Sequence, residues 1–247
     1  MSEKINVRGV WFDSLTVDET LDRLCDNLKQ NIQTAVCTPN AEIVQACIDD
    51  ESLFPVINSA EVIIPDGIGV VKAARILGTP VKEKVAGVTV GEKLFERLAG
   101  SGSRFYFLGG KPGVAEQAAE RMQEKYPGLV IAGCHDGYFE KSGPANDQVL
   151  SEINDSCADI LYVCLGAPVQ EKWIYANRGQ LNAKLMLGLG GSLDIYAGNV
   201  KRAPKIFISL GLEWFYRLLK EPKRIGRMMK LPKFYFGTWL YKIKGCK

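Results

Sequence analysis

Two short polar loops combine residue types that could move a proton at the edge of a sheet. They are Thr38-Pro39-Asn40 and Pro65-Asp66-Gly67, and each directly follows a short apolar run. A carboxylate such as that of Asp66, placed where a strand enters a turn, can serve as a general base if a substrate hydroxyl lies nearby. Both loops also have a purely structural interpretation, because Thr, Asn and Asp commonly cap helix N-termini and glycine supplies turns.

A third loop, Gly109-Gly110-Lys111-Pro112-Gly113, could hold a phosphate group. Its glycines would let a diphosphate approach the backbone, and the helical pattern that follows would offer free N–H groups and a positive dipole end. The loop matches neither the Walker A pattern nor Gly-x-Gly-x-x-Gly. It therefore indicates either a phosphate subsite or a tight turn between a strand and a helix, and it names no cofactor.

Two further loops could add polar groups to the same region. Gln170 and Lys172 fall in the first turn of a predicted helix, where Lys172 is more simply explained as part of a solvated helix start. Asp194 follows the glycine pair Gly190-Gly191, and it either contributes to a site or caps the next helix.

Cysteine and histidine usage argues against a metal. The seven cysteines are odd in number and contain no Cys-x-x-Cys pair, which indicates reduced thiols in the cytoplasm. The single histidine, His135, argues against a Cys/His zinc site. There is also no Asp-x-Asp element of the kind that metal-dependent nucleotide-sugar transferases use. We therefore predict no cofactor and a metal-independent reaction.

The elements that position these loops alternate along the chain. Predicted strands are Gly9–Phe12, Thr34–Cys37, Glu61–Ile64, Arg104–Leu108, Val130–Cys134, Ile160–Leu165 and Leu185–Leu189. Predicted helices are Val17–Leu28, Ala41–Ile48, Gly69–Leu77, Gly91–Leu98, Val114–Lys125, Asp147–Asn154 and Val169–Arg178. Continuous apolar strands between helices indicate a doubly wound, mostly parallel, Rossmann-like α/β sheet. In such sheets, ligands bind beyond the carboxyl ends of the strands.

The chain is predicted to divide into an α/β domain, residues 1–200, and a basic C-terminal appendage, residues 201–247. The appendage contains a basic linker, Lys201–Lys205, and a predicted helix, Ile206–Lys220. From Arg217 to Lys247 the chain carries ten Lys/Arg and one acid, a net charge of +9, while the rest carries −6. An acidic body with a basic tail predicts an anionic surface as the partner of the tail.

The composition of the appendage favours a membrane over a nucleic acid. Cationic groups interleaved with aromatic side chains suit an anionic lipid interface, although the same composition could stack bases and neutralise phosphates. No apolar run approaches the ~20 residues of a membrane span, and the N-terminus has no signal-peptide pattern. We expect a cytoplasmic protein, peripheral on the inner face of the membrane, that binds no nucleic acid. The aromatic residues expected to anchor it are Phe234, Tyr235, Phe236, Trp239 and Tyr241.

Taken together and in order, these motifs resemble the WecG/TagA/CpsF family of bacterial glycosyltransferases. The resemblance runs from about Val36 to Arg227. The matching segments in the first half are Thr38-Pro39-Asn40-Ala41-Glu42, Pro65-Asp66-Gly67, Val85-Ala86-Gly87, Phe107-Leu108-Gly109-Gly110 and Gly137-Tyr138-Phe139. Those in the second half are Gly166-Ala167-Pro168-x-Gln170-Glu171-x-Trp173, Gly190-Gly191-x-x-Asp194, Gly198, Arg202-Ala203-Pro204 and Gly211-Leu212-Glu213-Trp214-x-x-Arg217.

The resemblance implies an inverting transferase that moves a sugar from UDP to a polyprenyl-diphosphate-linked sugar. The expected donor is UDP-N-acetylmannosamine, and the expected acceptor is undecaprenyl-diphosphate N-acetylglucosamine, which gains a β-1,4 linkage as in wall teichoic acid synthesis. UDP-N-acetylmannosaminuronic acid and UDP-glucose are alternative donors. A dinucleotide-dependent oxidoreductase is an alternative that the fold class permits. Whether the chain forms a homo-oligomer is left open.

The resemblance also implies roles for individual residues. The residues expected to be catalytic fall on Asp66, the proposed base, and on Thr38. The other residues expected to bind substrate are Asn40, Lys84, Gly109, Gly110, Gln170 and Asp194 in the body, and Arg217, Arg224 and Arg227, which would close over the donor diphosphate. Lys84 is a departure, because many members of the family have arginine before Val-Ala-Gly. Lysine keeps the charge there but loses the bidentate fork of a guanidinium group.

Overall fold

A six-stranded parallel sheet, covered by helices on both faces, organises the computed structural model, which describes residues 3–204, 206–207, 212–220, 226 and 230–245. This confirms the predicted α/β fold class. The strands are β1 (Lys4–Val7), β2 (Val10–Asp13), β3 (Thr34–Cys37), β4 (Val62–Ile63), β5 (Arg104–Gly109), β6 (Val130–His135), β7 (Ile160–Cys164) and β8 (Leu185–Gly188). The order in the large sheet is β4-β3-β8-β7-β5-β6, and every pairing in it is parallel.

The helices alternate with these strands. They are α1 (Val17–Lys29), α2 (Ala41–Asp49), α3 (Leu53–Asn58), α4 (Ile68–Leu77), α5 (Gly87–Leu98), α6 (Val114–Lys125), α7 (Pro144–Asp155), α8 (Val169–Asn177), α9 (Ser192–Tyr196), α10 (Glu213–Lys220) and α11 (Lys230–Ile243), with a 3-10 turn at Arg178–Gln180. Successive strand residues point to opposite faces, so the helices bury two cores. In β7, for example, Leu161 and Val163 belong to one core, whereas Tyr162 belongs to the other.

The strand order creates a crevice at the carboxyl edge of the sheet. From β5 the chain crosses outward to β6, whereas from β7 it crosses in the opposite direction to β8. The loops after β5 and β7 therefore diverge, which is the arrangement that opens a ligand crevice in doubly wound sheets.

The N-terminal segment differs from its prediction. The predicted strand Gly9–Phe12 is present as β2, but it pairs antiparallel with β1 in a separate hairpin, outside the parallel sheet. Arg8 and Gly9 form its turn with φ of 55° and 95°. The buried Asp13 fastens the hairpin to the main sheet, since its Oδ2 accepts from the Ile63 N–H at 2.9 Å. The turn geometry and this contact depend on distant residues, so strand periodicity did not reveal them.

Helix α11 packs on the body against α2 and α4. Phe234 is fully buried in one of the two cores, so the prediction that it anchors the chain in a bilayer is wrong. Phe236 and Trp239 are exposed. Gly69 lets α2 and α4 approach each other, because a Cβ there would lie 2.7 Å from the Cβ of Ala41. The division at residue 200 stays a prediction.

The predicted helix Ile206–Lys220 lies partly outside the described residues. Residues 206–207 are helical, and the described helix in this stretch is α10. Among the described residues, no helix is long and apolar enough to cross a membrane.

Candidate functional site

The loops after β3 and β4 meet at the carboxyl edge of the sheet, as their sequence positions predict. The Asp66 N–H donates to the carbonyl of Pro39 at 3.3 Å. Asn40 is the N-cap of α2, and its Oδ1 accepts from the Ile43 N–H at 3.0 Å. The structural interpretation therefore holds for Asn40. The N-cap of α4 is Gly67, not Asp66.

A third segment, the start of α5, completes this contact. The Val85 N–H donates to the Pro65 carbonyl at 3.0 Å, and the Gly87 N–H donates to Oδ2 of Asp66 at 3.3 Å. Gly87 packs so closely on Thr38 that a Cβ at Gly87 would lie 2.9 Å from Thr38 Cγ2. Because Gly87 is the first residue of α5, the Asp66 carboxylate faces the positive end of that helix.

Thr38 and Gln170 connect this group to the glycine-rich loop after β8. The buried Thr38 hydroxyl donates to the Gly188 carbonyl at 3.0 Å. Oε1 of Gln170, also buried, accepts from the Gly190 N–H at 2.9 Å. We call Thr38, Asp66, Gly87, Gln170 and Gly190 the Asp66 cluster. Its members come from five separate segments of the chain, three loops and the first turns of α5 and α8.

Glu171 is a neighbour of the Asp66 cluster that the sequence reading gave no role. It is 2 % exposed, and its Oε1 accepts from Nε2 of Gln170 at 2.8 Å. Its other carboxyl oxygen is buried with no hydrogen-bond partner among the described residues. Burial raises the pKa of Glu171, with the Gln170 hydrogen bond acting in the opposite direction. The Gly190 N–H and the Glu171 carboxyl group together fix which way the Gln170 amide faces.

The glycine loop after β5 is built from backbone contacts. A Cβ on Gly109, where φ is 135°, would overlap the Cys164 carbonyl of β7. The Gly110 N–H donates to that same carbonyl at 3.3 Å, and the Gly110 carbonyl accepts from the Gly137 N–H at 2.9 Å. We call Gly109, Gly110 and Gly137 the glycine cluster. It lies before α6, whose N-cap is Gly113, so the positive end of a helix dipole faces this part of the edge.

Tyr138 stands beside the glycine cluster and is 71 % exposed. Its loop is fixed: the Tyr138 N–H donates to Oδ1 of Asp136 at 2.7 Å, and Lys141 Nζ donates to the carbonyls of Gly137 and Phe139. Sequence reasoning missed this residue, although Gly137-Tyr138-Phe139 is one of the matching segments. A large, solvent-exposed aromatic ring next to a glycine-rich loop of the kind that binds phosphate is suited to stack on a planar base.

Two cations lie next to the Asp66 cluster. Nζ of Lys84 pairs with Oε2 of Glu213 at 3.5 Å, and both side chains are mostly buried. The pair connects the loop before α5 to the first turn of α10. Arg202 Nη2 donates to Oγ1 of Thr89 in α5 at 2.8 Å, while its Nε is buried and unpartnered within the described part of the chain. Arg202 belongs to the matching segment Arg202-Ala203-Pro204, which could have drawn attention to it, but no role was predicted for this residue from the sequence.

The remaining predicted residues fall into two groups. Asp194 lies in the first turn of α9, where Gly191 is the N-cap and no side-chain cap bond forms, so the capping interpretation is not supported. Arg217 lies in α10, but its side chain is outside the described residues, as are Arg224 and Arg227 entirely. Their predicted closure over a diphosphate stays a prediction.

Trp173 illustrates a motif residue with a structural role. It is buried, and its Nε1 donates to Oδ1 of Asn146 at 2.7 Å, which ties α8 to α7. The described residues contain no group of three or more His, Cys, Asp or Glu side chains placed to hold a metal ion. The six cysteines that the structure covers are unpaired. Metal-independent chemistry stays a prediction.

Comparison with known proteins yields a consistent match. The sequence profile of the Glycosyl transferase WecG/TagA/CpsF family matches residues 5–247. The N-acetylglucosaminyldiphosphoundecaprenol N-acetyl-beta-D-mannosaminyltransferases of Bacillus spizizenii and Bacillus subtilis are each 37% identical to the chain over 207 residues, covering 84% of this chain and 79% of theirs. The protein of that name from Staphylococcus aureus (strain MRSA252) is 33% identical over 248 residues, covering 99% of this chain and 93% of its own.

Proposed function

The chain belongs to the WecG/TagA/CpsF family of glycosyl transferases, and from this premise we propose that it transfers N-acetylmannosamine from UDP to undecaprenyl-diphosphate-linked N-acetylglucosamine. The relatives named above carry that donor sugar and that acceptor in their names. Family membership favours this reading over a dinucleotide-dependent oxidoreductase. The observation in the structure that supports it best is the Asp66 carboxylate, fixed at the start of α5 on the same edge of the sheet as the glycine loop that precedes α6.

Asp66 is the proposed general base. The acceptor hydroxyl must lose its proton as it attacks the anomeric carbon, and an ionised carboxylate can accept it. The Gly87 N–H holds Oδ2 of Asp66 in place. Thr38 sits against Gly87 and fixes the adjoining loop through Gly188. Attack from the face opposite the UDP group inverts the anomeric configuration, which gives a β-linked product from an α-linked donor.

The leaving UDP gains negative charge as the glycosidic bond breaks. Groups that bind this charge more strongly in the transition state lower the barrier. We assign this role to the Gly109–Gly113 loop at the N-terminus of α6, assisted by Lys84 and Arg202. Lys84 is already paired with Glu213, so an arriving diphosphate would compete with that carboxylate for it. Arg217, Arg224 and Arg227 are proposed to add further positive charge.

The uracil base is proposed to stack on Tyr138. The ring is exposed and its loop is hydrogen-bonded to the Gly110 carbonyl through Gly137, so a base stacked there would carry its diphosphate towards the glycine cluster. Little ordering is needed on binding, because Lys141 and Asp136 already fix the loop.

The lipid part of the acceptor requires the enzyme to work at a membrane surface. Helix α11 presents apolar side chains at i, i+3, i+4 and i+7 spacing, which places them on one face. They are Phe236, Trp239, Leu240 and Ile243, and each is exposed. Contiguous exposed apolar groups next to lysines are suited to the interface of an anionic bilayer. We propose that this face binds the cytoplasmic leaflet.

The proposed function is tested by incubating the purified protein with a short-chain prenyl-diphosphate N-acetylglucosamine and, separately, each UDP-sugar. UDP-N-acetylmannosamine should give a disaccharide whose β-1,4 linkage is visible by NMR. The Asp66→Asn variant is the control for background hydrolysis. Preferential turnover of UDP-glucose or UDP-N-acetylmannosaminuronic acid would correct the donor. Thermal stabilisation by NAD and not by UDP would contradict the transferase assignment.

A further inference from the structure

An open cleft of about 510 Å³ lies between α4 and α11, outside the Asp66 cluster and the glycine cluster. It is lined by Lys72, Arg75, Ile76 and Tyr235. Lys72 and Arg75 are three residues apart on α4 and therefore point to the same side of the helix. Both are exposed, and neither pairs with a carboxylate in the part of the chain that the structure describes. The cleft thus offers two uncompensated positive charges.

The other two residues give the cleft an apolar wall. Ile76 and Tyr235 are both half-buried. The Tyr235 ring continues into an exposed apolar row along α11, because Trp239 and Ile243 follow it at successive i, i+4 positions. One end of the cleft is therefore cationic, and its wall leads along α11 towards the face proposed to meet the bilayer.

The cleft also adjoins the catalytic edge. The Tyr235 hydroxyl lies 3.8 Å from the position that a Cβ on Gly69 would occupy, and Gly69 is only three residues after Asp66. Lys72 is four residues along α4 from Ile68, which is about 6 Å of helix axis. A ligand held by Lys72 could therefore extend one sugar unit towards Asp66.

We propose that this cleft holds the diphosphate and the first isoprene units of the polyprenyl-diphosphate-linked acceptor. Lys72 and Arg75 bind the diphosphate, Ile76 and Tyr235 contact the first isoprene units, and the rest of the chain follows Trp239 and Ile243 into the bilayer. The positive charges of Lys72 and Arg75 complement a diphosphate. The two cations, the apolar wall and the apolar row of α11 follow one another in the same order as the diphosphate, the first isoprene units and the remaining lipid of the acceptor. This assignment rests on the proposed function, because it gives the binding site for the acceptor of that reaction.

The test compares Lys72→Ala/Arg75→Ala with the control Lys29→Ala/Lys125→Ala in the full-length protein. The control removes two exposed cations from the last turns of α1 and α6, and neither of them lines the cleft. With farnesyl-diphosphate-linked N-acetylglucosamine in solution, the cleft variant should raise the acceptor KM about tenfold or more, since charge-assisted hydrogen bonds to the diphosphate are lost. Its kcat and its UDP affinity should stay near wild type, and so should every parameter of the control.

Two measurements separate the acceptor from a lipid headgroup. Sedimentation with vesicles of phosphatidylglycerol and phosphatidylcholine reports on headgroup binding. If the cleft variant loses vesicle binding while its KM for the soluble acceptor is unchanged, the cleft is a headgroup site and the proposal is wrong. Tyr235→Ala should raise KM more for a farnesyl than for a shorter, geranyl acceptor. An equal rise in KM for the farnesyl and the geranyl acceptor would contradict the proposed contact between Tyr235 and the isoprene units.

A binding experiment keeps this inference distinct from the proposed function. Farnesyl diphosphate, titrated calorimetrically into the protein, should bind to wild type and to the control variant, and at least about tenfold more weakly to Lys72→Ala/Arg75→Ala. If that pattern holds but no UDP-sugar is turned over, the cleft stands and the proposed function fails. If sugar transfer occurs but farnesyl diphosphate binds equally to all three proteins, the cleft assignment fails alone.

Discussion

The Asp66 cluster and the glycine cluster occupy the same edge of one sheet but are held in different ways. Side chains join the first: Thr38 donates to Gly188, and Gln170 accepts from Gly190. Backbone groups and missing Cβ atoms shape the second, where Gly109 and Gly110 lie against the Cys164 carbonyl. Strand β7 connects the two, because the carbonyl of Gly166, just after it, accepts from the Gln170 N–H at 3.0 Å.

This difference matches the chemistry proposed for each cluster. A proton acceptor must be placed to within a fraction of an ångström, and a network of buried side-chain hydrogen bonds gives that precision. A diphosphate needs several N–H donors and space for its oxygen atoms, and glycines at a helix N-terminus provide both. Substitutions in the first cluster should therefore change kcat, and substitutions in the second should change donor affinity.

The largest effect is expected for Asp66→Asn. Asparagine keeps the shape of the side chain but cannot accept the acceptor proton, so kcat should fall by roughly 10²–10⁴. UDP affinity, measured by calorimetry, should remain near wild type because the donor is proposed to bind at the glycine cluster. A variant with nearly normal turnover would show that another group is the base.

Gly110→Ala should weaken UDP binding about tenfold or more while leaving kcat at saturating donor less affected. Its Cβ would lie 3.0 Å from the Cβ of Val114, so the loop proposed to hold the diphosphate would have to shift. The matched control is Gly102→Ala, which has φ of 81° against 77° for Gly110 but an open surrounding. Both variants should lose about 1–2 kcal/mol for the left-handed backbone. Equal UDP affinities would place the nucleotide elsewhere.

Gln170→Ala tests whether the side-chain network of the Asp66 cluster is needed. The change leaves the Gly190 N–H without its acceptor and removes the hydrogen bond that Oε1 of the buried Glu171 accepts from Gln170. The free energy of unfolding should fall by about 1–3 kcal/mol, as measured by urea denaturation, and turnover should fall with it. Unchanged stability would mean that water or movement of the loop replaces these bonds.

Glu171→Gln should change how stability depends on pH. Burial raises the pKa of Glu171 in the folded protein, so the unfolded state loses this proton first as pH increases. Relative to the variant, wild type should lose stability as pH rises above the ordinary glutamate pKa of about 4.3, until the folded-state pKa is passed. Urea denaturation of both proteins at several pH values measures the difference. Parallel curves would contradict a raised pKa.

The smallest effect is expected from metal removal. Neither cluster, as described, includes a set of metal ligands, so turnover should survive dialysis against EDTA unchanged. Loss of activity on dialysis and its restoration by Mg²⁺ or Mn²⁺ would show that a metal ion contributes to the reaction.

Much of the fold follows from local sequence patterns. Two predicted elements have the bounds found in the structure: the strand Thr34–Cys37 and the helix Val114–Lys125. Their bounds could be predicted because the spacing of apolar residues within a short segment indicates its secondary structure. Asn40 caps α2 for an equally local reason: its side chain reaches the Ile43 N–H three residues on. The positions of Thr38, Asp66 and Gly109 at strand ends likewise needed only the order of elements.

The tertiary structure alone decided which of these groups meet. Thr38 and Gly188 are 150 residues apart, and they touch because β3 pairs with β8 in the sheet. Phe234 lies in an aromatic, basic stretch that suggests an interface, yet packing of α11 on α2 and α4 buries it. The sequence by itself determined the elements and the residue types at their ends. Strand order and helix docking, which depend on contacts between distant segments, determined the site.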